Sequence, residues 1–131
     1  MSIKNLYNDE AIKYLKHEKA KDILVDFAMH IQTSDLWFNV LLKKVEINFE
    51  GINADLYPKL EQYETKFGVK KKISSIIIRA AITGTTTGFD LWKTVEIMGM
   101  NAALNNITYS LVTYCGLVDT TAYWEDIYLR N

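Results

Sequence analysis

Cysteine is almost missing from this chain of 131 residues; Cys115 is the single one. A lone thiol forms no internal disulfide, and the simpler expectation is a reducing, cytoplasmic setting. Long apolar runs are missing as well. No stretch reaches the roughly 18 consecutive apolar residues of a membrane span, so none is expected. The opening "MSIKNLYNDE" has no apolar signal core, and no secretion is expected. A charge excess is also lacking. Net charge is −1, whereas a protein that binds nucleic acid by bulk charge is strongly basic, so any RNA contact would need a local patch. Histidine is scarce: His17 and His30 fall on one expected helix without the i,i+4 spacing of a ligand pair, and Cys115 is remote in sequence. No metal site and no cofactor are expected; the histidines read as surface or boundary residues and Cys115 as a buried core thiol. No Cys/His or Ser/His arrangement argues for catalysis, and Glu125 with Asp126 reads as a solvated face. No catalytic residue is assigned, and the default is a binding or structural domain, not an enzyme.

Apolar residues make up 49% of the chain, with eight tyrosines, five phenylalanines and three tryptophans, enough for one well-packed domain over 1–131. The periodicity is helical. Ala20, Ile23, Leu24, Phe27, Ala28 and Ile31 recur at spacings of three and four, on a first helix expected from about Asp9 to Ile31. Thr33, Ser34 and Asp35 offer caps for a second helix with Trp37, Val40, Leu41 and Val45 inward. The next stretch, "INFEGINADLYPKL", reads as helix end and loop, followed by a third helix from Asp55 to Phe67. That places Pro58 in its first turn and Gly68 as its C-terminal cap.

"ISSIIIRAAITG" has β-branched residues that suit a strand. Ser74 or Ser75 as caps, Ala80, Ala81 and a terminating Gly84 favour a helix with Ile73, Ile77, Ala80 and Ala81 buried. Asp90 caps a short helix carrying Leu91, Val95 and Met98 and ending at Gly99. Another helix runs from about Asn101 to Tyr114, with Leu104, Ile107 and Leu111 inward. Asp119 caps a last one bearing Tyr123, Trp124, Ile127 and Tyr128. The expected fold is all-α, a compact bundle of six or seven helices.

"RAAITGTTTGFDLW", residues 79–92, stands out. It is no Walker phosphate loop, because Phe89 and Asp90 follow the second glycine where a lysine and a Ser/Thr are required. Beside it lies the sharpest positive excess of the chain, Lys66, Lys70, Lys71, Lys72 and Arg79.

Read further, "IRAAITGTTTGFDLWKTVEIMGMNAALNNI", residues 78–107, resembles the distal anticodon-binding subdomain of bacterial-type glutamyl-tRNA synthetases. The family's R-x-A-x-T-G helix end, loop glycine, apolar helix, further glycine and last helix correspond to Arg79, Ala81, Thr83, Gly84, Gly88, Leu91, Gly99 and Leu104. "YNDEAIKYLKHEKAKDIL" resembles the helix leading into that subdomain and "DLWFNVLLKKV" its tryptophan-bearing helix. The similarity spans residues 7 to about 108. The chain departs from the pattern in four ways: Ile77 and Phe89 stand where the family often has proline, the Trp37–Arg79 stretch is longer, a 109–131 tail is added, and the catalytic half has no counterpart.

The resemblance implies an all-α fold and contact with the anticodon end of tRNA-Glu, in a catalytic synthetase's C-terminal piece or a free-standing relative. It points to Arg79, Gly88, Phe89 and Leu91 as base contacts. Thr85, Thr86 and Thr87 are added for sugar or phosphate, and Lys70, Lys71 and Lys72 as the adjoining basic patch. Arg79 alternatively salt-bridges a carboxylate, and Phe89 alternatively staples the next helix. The tail side chains Tyr123, Trp124, Ile127 and Tyr128 suggest self-association, a synthetase partner or a sealed core. The alternative function is a protein-interaction or oligomerisation module without RNA binding.

Overall fold

A computed structural model describes residues 7–33, 49–88 and 90–118, with the side chains of 49–53 and of Trp92 left aside. The described residues form six helices: α1 (Asp9–Leu15), α2 (Ala20–Thr33), α3 (Phe49–Phe67), α4 (Lys71–Thr83), α5 (Leu91–Met98) and α6 (Met100–Thr113). No strand occurs among the described residues, so the all-α expectation holds. None of these helices is long and apolar enough to cross a membrane. The expected helix around Trp37 and the tail with Tyr123, Trp124, Ile127 and Tyr128 lie outside the described residues.

The expected faces are the buried ones. On α2, Ala20, Ile23, Leu24, Phe27, Ala28 and Ile31 are all inside, and on α3 so are Leu56, Leu60 and Tyr63. Fully burying a side chain such as Phe27 or Ile77 stabilises by about 1.5–3 kcal/mol. The ambiguous "ISSIIIRAAITG" is helix α4, and it packs against each of the other five. Its Ala80 and Ala81, with Ala11 on α1 and Ala103 on α6, are completely buried and let backbones approach closely.

Three local expectations are corrected. The first helix is two. The chain leaves helical geometry at Lys16 (ψ 2°), and the His17 Nδ1 accepts the Lys19 N–H at 3.0 Å in the turn between them. No breaker marks "KHEK"; the Cys115 thiol, half-buried rather than fully so, donates to the Leu15 carbonyl at 3.3 Å where α1 ends. Helix α3 begins at Phe49, not Asp55, so Pro58 lies well inside it. Proline leaves the carbonyl four residues earlier, on Ala54, without its helical partner. Both residues are exposed, where solvent takes that carbonyl. Neither Ser74 nor Ser75 caps α4, whose N-cap is Lys70 without a side-chain bond.

The far end of α4 is the most heavily tied point of the structure. A helix leaves its last four carbonyls without intrahelical partners. Gly84, at φ 76°, turns the chain left-handed and returns its N–H to the Ala80 carbonyl. The Ala81 carbonyl accepts from the Tyr7 hydroxyl at 2.8 Å, and the Ile82 carbonyl from Asn106 Nδ2 at 2.8 Å. The Asn8 N–H reaches the Gly84 carbonyl at 2.9 Å. Tyr7 Oη also lies 3.1 Å from the Asn106 carbonyl and accepts from Ser110 Oγ at 3.0 Å. Its ring stacks on Tyr109, centroids 5.5 Å apart.

Burial pushes the Tyr7 hydroxyl up to about 12, against the Ser110 hydrogen bond that pulls the other way. The folded chain therefore keeps this proton between pH 10 and 12, where the unfolded chain gives it up. The contribution is fully present below about pH 10 and is lost as pH rises through about 12. Tyr7→Phe is expected to cost about 1–3 kcal/mol at neutral pH and to flatten part of the alkaline fall in urea midpoint. An unchanged midpoint at both pH values contradicts this. Ser74 Oγ, by contrast, is fully buried with no hydrogen-bond partner. Ser74→Ala is expected to stabilise by about 1 kcal/mol in the same assay, since it removes an unpaired hydroxyl from a helix interior.

Candidate nucleic-acid interface

The loop from Gly84 to Gly88 is built from its own threonines. Thr83 Oγ1 donates to the Arg79 carbonyl at 2.9 Å and accepts the Thr85 N–H at 3.2 Å; Thr85 Oγ1 donates to the Thr87 carbonyl at 2.9 Å. Thr85 thus organises the loop. The hydroxyls of Thr86 and Thr87 have no intramolecular partner among the described residues and face outward. Gly88 sits at φ 144°, and a Cβ there would meet Arg79 Nη1 at 3.8 Å. Asp90 then opens α5 as expected, its Oδ1 accepting the Lys93 N–H at 3.2 Å.

Next to Arg79, α3, α4 and the start of α5 line a half-open cavity of about 320 Å³. Leu56 and Leu60 of α3, Ile78 of α4 and Leu91 of α5 give it an apolar lining. Tyr57, Ser75, Arg79 and Asp90 supply the polar groups. The Arg79 side chain is half-buried and has no hydrogen-bond or ion-pair partner among the described residues, so the cross-bundle salt bridge is not found there. In the groove along α2, lined by Lys21, Asp22, Asp26 and Lys66, opposite charges alternate. Lys59, on α3, pairs with Asp26 at 2.7 Å.

Helix α3 packs on α4 through buried Leu56, Leu60 and Tyr63, and polar ties join it to α2. Asp26 accepts from Tyr63 at 2.8 Å, and His30 bonds Asp55 at 2.7 Å. Burial alone would raise the Asp26 carboxyl, but the hydrogen bonds from Lys59 and Tyr63 outweigh it and hold the group below the usual carboxylate range. The same contact, added to burial, pushes the Tyr63 hydroxyl far up. These ties fix the face of α3 that carries Tyr57 towards α4.

There Lys71 Nζ donates to the Tyr57 hydroxyl at 3.1 Å and lies 4.9 Å from the ring centroid. That hydrogen bond first, then the charge field including Glu64 and Glu61, raises the lysine above its ordinary value, so it stays charged at neutral pH. Lys70 and Lys72 flank it, exposed.

Of the residues expected at an RNA site, Arg79 and Leu91 share the cavity, with Thr86, Thr87 and Gly88 on the adjoining loop. Lys71 reaches it through Tyr57, and Lys70 and Lys72 lie at the outer end of α4. Phe89 lies outside the described residues. Sequence reasoning missed Tyr57 and Ser75. The signal for Ser75 was present, because Lys71, Ser75 and Arg79 fall at i, i+4 and i+8 on one face of a helix. Nothing in the sequence brings Tyr57 to that face.

Gly88→Ala is expected to cost about 1 kcal/mol or more, because an L side chain rarely adopts a φ of 144°. A denaturation midpoint equal to that of the native chain would show that the loop does not require this geometry. Among the described residues no group of histidine, cysteine and carboxylate side chains is placed to hold a metal ion. No family model, curated protein or solved structure matches the chain.

Proposed function

We propose that the chain binds single-stranded RNA at the Arg79 cavity, as a non-catalytic module that meets the anticodon end of tRNA-Glu. The observation that carries this reading is the half-buried Arg79 guanidinium, free of any intramolecular partner among the described residues, in a cavity lined by apolar side chains together with Tyr57, Ser75 and Asp90. A guanidinium so placed offers planar, directional donors to a base edge and a flat face to a base plane. An unstacked base supplies both counterparts, and protein readers of RNA loops take splayed bases in this manner. Leu91, at the edge of the core, would lie against the base, and Gly88 lets the backbone come close without a side chain in the way. The free hydroxyls of Thr86 and Thr87 suit sugar or phosphate oxygens.

Charge supports the same assignment. The chain as a whole is at −1, yet Lys70, Lys71 and Lys72 cluster at the start of α4, and Arg79 follows further along the same helix at the cavity. A local patch of this kind steers an anionic strand where bulk charge cannot. The resemblance of residues 78–107 to a synthetase anticodon-binding subdomain falls on the same loop. The alternative of an interaction module rests on Tyr123, Trp124, Ile127 and Tyr128, which lie outside the described residues.

Fluorescence anisotropy with a tRNA-Glu transcript tests the reading. Arg79→Ala is expected to weaken binding roughly tenfold, the loss typical of one arginine–base contact, while Lys16→Ala on α1 changes it by less than about twofold. Equal, negligible effects of the two substitutions would overturn it.

A further inference from the structure

We propose that Tyr57 and Lys71 form a second nucleotide subsite beside the Arg79 cavity: Tyr57 is a stacking platform for the adjoining base, and Lys71 contacts the phosphate joining the two nucleotides. This rests on the RNA-binding reading above and deepens it from a single-base pocket to a track for a short single strand.

Three observations carry it. Tyr57 is a large aromatic side chain left 53% exposed, on the wall of the same cavity that Arg79 lines. Most aromatic surface elsewhere in the described structure is covered, as Phe27 and Tyr63 are. An open ring beside an unpaired guanidinium is the arrangement that non-specific and loop-reading RNA proteins use to hold successive bases.

The ring is also held in place. Lys71 Nζ bonds its hydroxyl at 3.1 Å and lies 4.9 Å from its centroid, so the platform is set before any ligand arrives. The bond uses one of three ammonium donors, leaving two for a phosphate. Because Tyr57 Oη accepts from the lysine, its own proton is free to point outward to the same anion.

Spacing supplies the third. Lys71, Ser75 and Arg79 lie at i, i+4 and i+8 on α4, spanning about 12 Å along the axis. That length suits two nucleotides of an extended strand. The exposed Ser75 hydroxyl sits midway, where a backbone or sugar oxygen would pass. Glu61 and Glu64 of α3 contribute to the field at Lys71, and the exposed Lys70 and Lys72 adjoin it at the start of α4.

The test is binding of the full chain to a tRNA-Glu anticodon stem–loop oligoribonucleotide, with affinity measured across a salt series. Tyr57→Ala is expected to weaken binding by roughly 5- to 100-fold, the loss of one stacked base. Tyr57→Phe keeps the ring and should stay within about threefold of native. Lys71→Ala should lower the slope of log affinity against log salt by about one. Both side chains are solvent-facing, and unchanged thermal melts will show that the variants fold. If Arg79→Ala weakens binding while Tyr57→Ala and Lys71→Ala stay within about twofold, the second subsite is overturned and the Arg79 reading stands. Equal losses for Tyr57→Ala and Tyr57→Phe would overturn the stacking role. A native chain that binds no RNA overturns both.

Discussion

The buried C-terminal end of α4 is the constraint on which the rest depends. A helix that stops inside a protein presents carbonyls that water cannot reach, and each unpaired one costs about 1–3 kcal/mol. Here the chain answers with groups from two remote places, Tyr7 and Asn8 ahead of α1, and Asn106 and Ser110 on α6. Those bonds add direction to the apolar contacts that hold α1 and α6 against α4. Gly84 completes the arrangement by turning the chain out of the helix where a side chain would resist.

The candidate site inherits its geometry from that point. The loop starts at Gly84, whose carbonyl is already held by Asn8, and Arg79 lies little more than one turn back on the same helix. The opposite wall is set separately, by the polar seam of Asp26, His30, Asp55 and Tyr63 between α2 and α3. Two independent anchors thus face one another across the cavity. Charge is distributed to match: carboxylates in the seam are engaged by lysine, tyrosine or histidine, while the guanidinium at the cavity has no such partner among the described residues.

The fold was legible where period and termination agreed. The α2 face, the ends at Gly68, Gly84 and Gly99 and the Asp90 cap follow from spacing and from glycine's freedom at positive φ. What misled was what lacks a local signature. Lys16–Lys19 contains only helix-tolerant residues, so the break after Leu15 is decided by tertiary contact with Cys115 and the turn at His17. Pro58 reads as a helix start, yet an exposed proline within α3 is tolerated because the freed carbonyl faces solvent. At the site, Arg79 and the loop were visible as a motif. Tyr57 was not, because its partnership with Lys71 depends on how α3 crosses α4, and a crossing leaves no trace in either helix alone.

The tie between Tyr7 and Ser110 also fixes an order of events. An early segment and α6 share one hydrogen-bonded cluster, so Tyr7 can meet its α4 partners first, but its bond with Ser110 has to await nearly all the described chain. Contacts of such long sequence separation form late and slow folding, since the loop between them must close first. During synthesis, the bonds that Asn106 and Ser110 bring to the end of α4 therefore become possible only once α6 has been made, so the cluster beside the loop closes from both ends of the described chain.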